Sequence, residues 1–421
     1  MPQNVAFGKP LSLIRDSEIE NYLLQQTQTL FKQAELSTEN AQVVIVNDNT
    51  LNAFVVGGTT MFVHTGLLLS ATHSDQIAGV LAHETGHLMG GHILRSQTAY
   101  TKMQHTTIAT TLLGVLAAIA SGRGDVGVAV MLGGMSTAQG FLSTYQQSEE
   151  SSADSAALTL LNKCHISSVG LLEMMQIMQR QERINIDENL SYLRTHPLTQ
   201  DRIAFIERNL NTYPRQDDKD FLLVKAKLYA FINEPNTTFA AYHDNSQASH
   251  YARAIAYFKQ TQIQKALKEI ESLIQKDPHN PYFQELKGQI LFETGKIDQA
   301  INSYQQAVNL IPQDTLIRSA LAHALTETNR PENDTKAQKH IDFILAREPD
   351  QPQAWRLQSI LYGRAGKTAE ADYALAEYFA AIGDKTQALG KIERAQKNLP
   401  QDSVKYHRLE QLHNLLNRKS N

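Results

Sequence analysis

Apolar positions in SEIENYLLQQTQTLFKQAEL, residues 17–36, recur every three to four residues, the period of a helix that buries one face. The period then shortens. VVIVND (43–48), LNAFVV (51–56) and TMFVHTG (60–66) are short runs rich in β-branched and aromatic residues, the last two separated by the turn pair Gly57-Gly58. Together they predict a small antiparallel sheet. At Ser74-Asp75, both of residue types that cap helix N-termini, the helical period returns. Ile77, Val80 and Leu81 then carry an apolar stripe into LAHETGHLMGGH (81–92). That stretch is therefore expected on a helix with a buried inner face, and YQQSEESSADSAALTLL (145–161) has a second helical pattern.

Between these helices lie two uncharged stretches, residues 106–122 and 126–142. Both are rich in Thr, Gly and Ser and fall short of the roughly 20 predominantly apolar residues a membrane span needs. They predict a buried helical hairpin turning at Arg123–Asp125. The alternative is a mobile lid, or a surface that rests peripherally on membrane or on apolar clients.

From about residue 215 the strand signals vanish and a repeat takes over, so the chain divides into residues 1–214 and 215–421. In GQILFETGKIDQAINSYQQAVNLIP (288–312), Gly288, Leu291, Gly295, Ala300, Tyr304, Ala307 and Pro312 have the spacing of a tetratricopeptide unit. Pro278 precedes Pro312, Ala266 precedes Ala300 and Ala337 precedes Ala371 by the same 34 residues, with NRPEND stretching one middle step. Trp355, Tyr362, Gly366 and Ala371 mark another unit, whereas Gly383, Ala388, Ile392 and Pro400 slip half a period. Such repeats bury their faces only against one another and build a curved helical surface suited to binding a peptide or partner.

Composition narrows this picture little. At 421 residues, 42% hydrophobic and 19% charged, the chain is that of an ordinary globular protein of two or three domains. The 39 basic and 43 acidic side chains leave a net charge of -4, so no basic footprint argues for nucleic acid. Cys164, the single cysteine, cannot form an internal disulfide and is silent on compartment. The first residues lack a basic start followed by an apolar run, so no signal peptide is legible.

The chemistry lies in HETGH. On a helix, residues four apart share a face, so His83 and His87 can grip one ion, with Glu84 beside them. In this H-E-x-x-H arrangement two neutral imidazoles bind zinc and the intervening glutamate is general base toward the attacking water. A catalytic zinc needs a third protein ligand and an open position. His92 is badly placed, because on an unbroken helix it stands about 180° from His83. Glu150 and Asp154, four apart on the second helix, are better. One carboxylate can ligate the ion while the other holds a ligand histidine by hydrogen bond. Glu149 is one step away, and spacing alone leaves it open.

These motifs resemble peptidase family M48, the integral and periplasmic zinc metallopeptidases. The residues that carry the resemblance are NAFVVGG (52–58), HTGLL (64–68), LAHETGH (81–87), EESSAD (149–154) and THPLTQDRI (195–203). The likeness spans the first half of the chain. It implies a mainly α protein with a small β-sheet: a gluzincin-type helical metalloprotease domain, here followed by an α-solenoid of tetratricopeptide repeats. It also implies one zinc per chain on His83, His87 and Glu150, selecting Glu150 over Glu149, with Asp154 behind the ligands. Glu84 is the catalytic base, His196 approaches the metal, either filling the open position or steadying the oxyanion, and Arg202 supports it. The chain departs from the family at His64, often Asn or Tyr, and at Ser151-Ser152, usually charged or bulky.

The added repeats narrow the resemblance to bacterial periplasmic members that serve outer-membrane β-barrel assembly. The implied partners are unfolded or misassembled proteins, β-barrel clients and their assembly machinery, and the implied location is the periplasm of a Gram-negative bacterium. Asn52, Ala53 and Phe54 are the expected edge strand for an extended substrate. Two competing readings are an assembly factor or chaperone that rarely cuts, and an intracellular zinc protease regulated through its repeats.

Overall fold

The computed structural model describes residues 12–56, 59–91, 147–184 and 196–417. His92 and the stretch 106–142 lie outside the described residues. The chain divides into two compact units, parting after Tyr229.

The first unit opens with β1 (Leu13–Ile14) and α1 (Ser17–Gln33), whose N-cap Asp16 accepts the Ile19 N–H at 3.0 Å. Then come β2 (Gln42–Val46), β3 (Ala53–Val56) and β4 (Thr60–His64), in a sheet of order β1-β2-β4-β3 among the described residues. The sheet is mixed, which corrects the expected antiparallel one. β3 and β4 do form a hairpin, with Ala53 opposite Val63, but β4 inserts beside β2 and runs parallel to it, with Val44 opposite Phe62. The chain between β2 and β3 carries the hairpin round so that its second strand lies inside. Asp48 clamps that crossing, its carbonyl accepting from Thr65 Oγ1 and from the Gly66 N–H, each at 2.8 Å. β3 is thereby left as an edge.

Helices α2 (Thr65–Ser70), α3 (Ser74–Met89), α4 (Gln147–Lys163), α5 (Val169–Ile184) and α6 (Gln200–Arg208) follow in this unit, and α7 (Lys219–Ile232) contains the boundary. α3 is its centre, packed against α1, β3, α4 and α5, and every residue from Asp75 to His87 is buried. The stripe Ile77, Val80 and Leu81 joins Leu23, Ile45, Leu161 and Leu171 in the core. Neither Ser74 nor Asp75 is the cap: that position is His73. Gln76 Oε1 accepts the Thr72 N–H at 2.7 Å, and the Asp218 carboxylate accepts the Ser74 N–H and meets His73 Nδ1, both at 2.7 Å. At the other end α3 stops at Gly90, and Gly91 takes φ +62°. The unbroken helix assumed in placing His92 therefore ends before it.

The second unit is a run of helices: α8 (Pro235–Ala241), α9 (Gln247–Lys259), α10 (Ile263–Lys276), α11 (Pro281–Glu293), α12 (Ile297–Leu310), α13 (Thr315–Glu327), α14 (Pro331–Arg347), α15 (Pro352–Arg364), α16 (Thr368–Ala381), α17 (Lys385–Gln396) and α18 (Val404–Asn417). Each packs on its sequence neighbour, as the 34-residue period requires. The small residues act as expected: a Cβ on Gly288 would sit 2.7 Å from the Tyr304 ring, so α11 and α12 close only because that atom is missing. After the phase slip the stack continues, with Ile392, Ala395, Leu409 and Leu412 forming a smaller core. Among the described residues no helix is long and apolar enough to cross a membrane.

Candidate metal centre

Two helices build the site. α3 presents His83 and His87 one turn apart, and α4 presents Glu150 and Asp154 one turn apart, all four with no measurable exposure. The sequence between the histidines is what lets the helices meet. Gly86 faces α4 so closely that a Cβ there would lie 2.7 Å from the Ala153 carbonyl oxygen. Glycine within a helix lowers its stability by about 1 kcal/mol relative to alanine, so its presence is explained by packing. The third contribution is the segment leading into α6, where Thr199 Oγ1 accepts the Arg202 N–H at 3.3 Å and fixes the helix start.

The donor atoms converge. His83 Nε2 and His87 Nε2 are 3.1 Å apart, and Glu150 places Oε2 3.4 Å from the first and Oε1 3.3 Å from the second. His196 stands on the other side, its Nδ1 2.9 Å from Glu150 Oε1 and its Nε2 3.6 Å from Glu84 Oε1. Ligand atoms of His83, His87, Glu150 and His196 all lie within 4.8 Å of one another, a grouping able to hold a metal ion. Two nitrogens and an oxygen at zinc's usual bond length of about 2.0–2.1 Å in a tetrahedron are separated by about 3.3 Å. The triangle found here has that size. Glu150 Oε2 is buried with no hydrogen bond aligned on it, and its ion-pair partner is the Arg202 guanidinium at 2.6 Å.

Charge around the triangle is balanced by one arginine. Arg202 donates through Nε and Nη2 to Asp154 at 2.7 and 2.9 Å, and its Nη1 lies 2.6 Å from Glu150 Oε2 and donates to the Pro197 carbonyl at 2.8 Å. The same guanidinium thus braces both carboxylates and the turn carrying His196. Asp154 Oδ1 is 2.9 Å from His83 Nδ1, so this carboxylate orients the imidazole from behind. Burial raises the pKa of Glu150, but His196, His83 and His87 outweigh it and hold the group well below the usual carboxylate range. Asp154 is likewise lowered, Arg202 and His83 overcoming burial. Burial opposes a proton on His83, yet Asp154 and Glu150 lift it to about 9. His87 is pulled down to about 3 by burial, with His83 and His196 adding to the effect.

Of the residues singled out in the sequence, His83, Glu84, His87, Glu150, Asp154, His196 and Arg202 come together. Glu149 is half-exposed beside the cluster, whereas Glu150 is inside it. Asn52 is buried just before β3, Ala53 points into the core, and Phe54 is half-buried and stacks on Phe62 at 4.9 Å. Gly86 and the Pro197 carbonyl were not foreseen. A glycine in a helical pattern was the available signal for the first, and nothing marked the second.

A buried His-His-Glu triangle with a glutamate carboxylate beside it, between two helices, is a site able to hold a metal ion. Residues 17–210 match the family model described as Peptidase family M48, and residues 288–328 match a TPR repeat. Residues 17–210 are thus similar to the domain of peptidase family M48, the protein is a metallopeptidase, and its second half carries tetratricopeptide repeats. It is similar along most of its length to proteins named Beta-barrel assembly-enhancing protease. The one from Escherichia coli strain K12 is 23% identical over 405 residues, covering 93% of this chain and 82% of that protein. The one from Yersinia pestis is 23% identical over 395 residues, covering 91% and 80%. A mitochondrial metalloendopeptidase of Schizosaccharomyces pombe is 26% identical over 163 residues, 39% of this chain and 44% of that protein.

Proposed function

We propose that the protein is a zinc-dependent endopeptidase that cleaves unfolded or misassembled proteins during outer-membrane β-barrel assembly, in the periplasm of a Gram-negative bacterium. The observation that carries the chemistry is the buried triangle of His83 Nε2, His87 Nε2 and the Glu150 carboxylate, with sides of 3.1 to 3.4 Å. Bound there, zinc supplies a Lewis acid that polarises the scissile carbonyl. Glu84, buried within the site, takes a proton from the attacking water and passes it to the departing amine. Asp154 holds His83 in the orientation that points Nε2 at the ion, and Arg202 keeps Asp154 ionised while its Nη1 braces Glu150. His196, 2.9 Å from Glu150, either fills the fourth side of the site or steadies the oxyanion when it moves aside. The edge strand at Asn52, Ala53 and Phe54 receives the substrate as an added strand, which selects for disorder more than for sequence. The names of the relatives supply the β-barrel context, and the repeats bind clients or assembly partners.

His196, 2.9 Å from Glu150 and buried, also favours a second reading. A site closed by its own histidine cuts rarely, as an assembly factor or chaperone for β-barrel proteins would. Glu84→Gln separates the two. Metal content by mass spectrometry stays at one zinc per chain while cleavage of an unfolded substrate is lost; retained cleavage rejects the assignment of Glu84. If client assembly survives the substitution, the assembly-factor reading gains over the purely proteolytic one.

A further inference from the structure

Arginines of the repeat unit are mostly paired. Arg253, Arg330, Arg364, Arg394 and Arg408 each meet a carboxylate oxygen at 2.7 to 3.2 Å. Arg356 instead donates to Gln353 Oε1 at 3.2 Å, and among the described residues Arg318 and Arg347 also meet no carboxylate. Arg318, in the first turn of α13, and Arg347, at the end of α14, both lay their guanidinium groups against the ring of Phe343, at 3.8 and 3.6 Å from its centre. Arg318 Nε donates to the Pro312 carbonyl at 2.8 Å and its Nη1 lies 3.0 Å from His340 Nδ1. Arg347 Nη2 donates to Gln313 Oε1 at 3.1 Å. Every one of these partners is neutral or cationic. The acids close in sequence are engaged elsewhere: Asp314 caps α13 through the Ile317 N–H at 2.9 Å, and Glu348 accepts from the Thr315 hydroxyl.

The arrangement works against the free protein. Burial and the charge of Arg347 both lower the pKa of Arg318, and burial and Arg318 pull His340 down to about 4. Like charges held together without a counterion are stabilised when an anion arrives. A guanidinium has five N–H donors, and the contacts above use two on Arg318 and one on Arg347, so most remain for an acceptor. Arg347 is exposed and Arg318 and Phe343 are half-buried, so the cluster is reachable.

We propose that Arg318, Arg347 and Phe343 form a docking site for an acidic peptide segment, whose carboxylates take the unused guanidinium N–H groups while an apolar side chain rests on the Phe343 ring. A peptide is favoured over a lipid surface because the site has two charges around an aromatic ring, whereas anionic membranes are held by clusters of four to eight Lys and Arg. The proposal rests on reading the repeats as a binding surface and is independent of hydrolysis.

The test uses the full chain carrying Glu84→Gln and a fluorescent ten-residue peptide with four Asp or Glu around one Phe, beside its Asn and Gln counterpart, in a polarisation titration. The acidic peptide is expected to bind, more weakly as salt rises, and the neutral one to bind at least about tenfold less. Arg347→Gln and Arg318→Gln are each expected to weaken binding about tenfold or more, with unchanged circular dichroism. If Arg318→Gln fails to fold, the exposed Arg347 carries the test. Equal binding of both peptides, or wild-type affinity in Arg347→Gln, overturns this site, and the first of these leaves the binding role of the repeats standing. Displacement of the peptide by millimolar inorganic phosphate, or Arg347-dependent sedimentation with anionic phospholipid vesicles, also overturns it by showing that the anion is a phosphate.

Discussion

Gly86 sets the spacing of the metal centre, and replacing it by alanine tests whether that spacing matters. The new Cβ falls 2.7 Å from the Ala153 carbonyl oxygen, about 0.7 Å inside ordinary van der Waals contact. Both partners are helix backbone, so neither can swing away and α4 must retreat from α3 by about that amount. Glu150 rides on α4, and its separations of 3.4 and 3.3 Å from His83 Nε2 and His87 Nε2 then open to about 4 Å. A tetrahedron with edges of that length holds its ligands about 2.4 Å from the centre, against the roughly 2.0–2.2 Å of zinc bonds. Displacements beyond about 0.5 Å are what such sites do not tolerate. Gly86→Ala should therefore weaken zinc binding about 10- to 100-fold and destabilise the metal-free fold by about 1–3 kcal/mol through overpacking. The assays are competition with a chromophoric chelator and thermal unfolding in EDTA. Gly363→Ala is the control, because a Cβ there meets nothing within 4 Å. Wild-type zinc affinity in Gly86→Ala refutes the argument that helix approach sets the site.

Two further outcomes follow from the same cluster. His196→Ala should raise basal cleavage of an unfolded substrate if this side chain plugs the site; unchanged or lower activity with zinc bound counts against the plug, and lower activity favours a catalytic role. In the metal-free protein His83 has its pKa raised to about 9 from 6.5, so its proton contributes stability that is fully present below pH 6.5 and lost as pH rises through about 9. Zinc needs the neutral imidazole, so affinity should climb with pH between about 7 and 9 and then level. About one proton should be released per zinc bound at pH 7, read in buffers of different ionisation enthalpy by calorimetry. A pH-independent affinity contradicts this assignment.

What the sequence revealed follows from the range of the interactions. His83 with His87 and Glu150 with Asp154 are pairs four residues apart, so helical periodicity alone put each pair on one face. Glu149 and Glu150 were harder to separate, because that choice depends on which side of α4 faces α3, and Gly86 and Ala153 settle it through backbone approach. The cap of α3 was misread for a similar reason: Asp218, 144 residues from Ser74, satisfies its N–H, and a remote partner leaves no local pattern. The parallel pairing of β2 and β4 escaped because alternation specifies faces but not strand order. His196 and Arg202 have no periodic signal linking them to α3 and α4; only the resemblance of THPLTQDRI to family M48 brought them forward. The repeats were legible because small residues at a fixed period, such as Gly288, Ala300 and Ala307, are needed wherever two helices meet, and Gly288 against Tyr304 shows that need directly.

Every role proposed for His83, Glu84, His87 and Glu150 depends on where a metal ion sits. Crystals of the purified protein grown with zinc, with data collected on both sides of the zinc absorption edge, give the most direct answer. One anomalous peak per chain in contact with His83 Nε2, His87 Nε2 and the Glu150 carboxylate is the expected result. No peak, or a peak away from these three side chains, contradicts it.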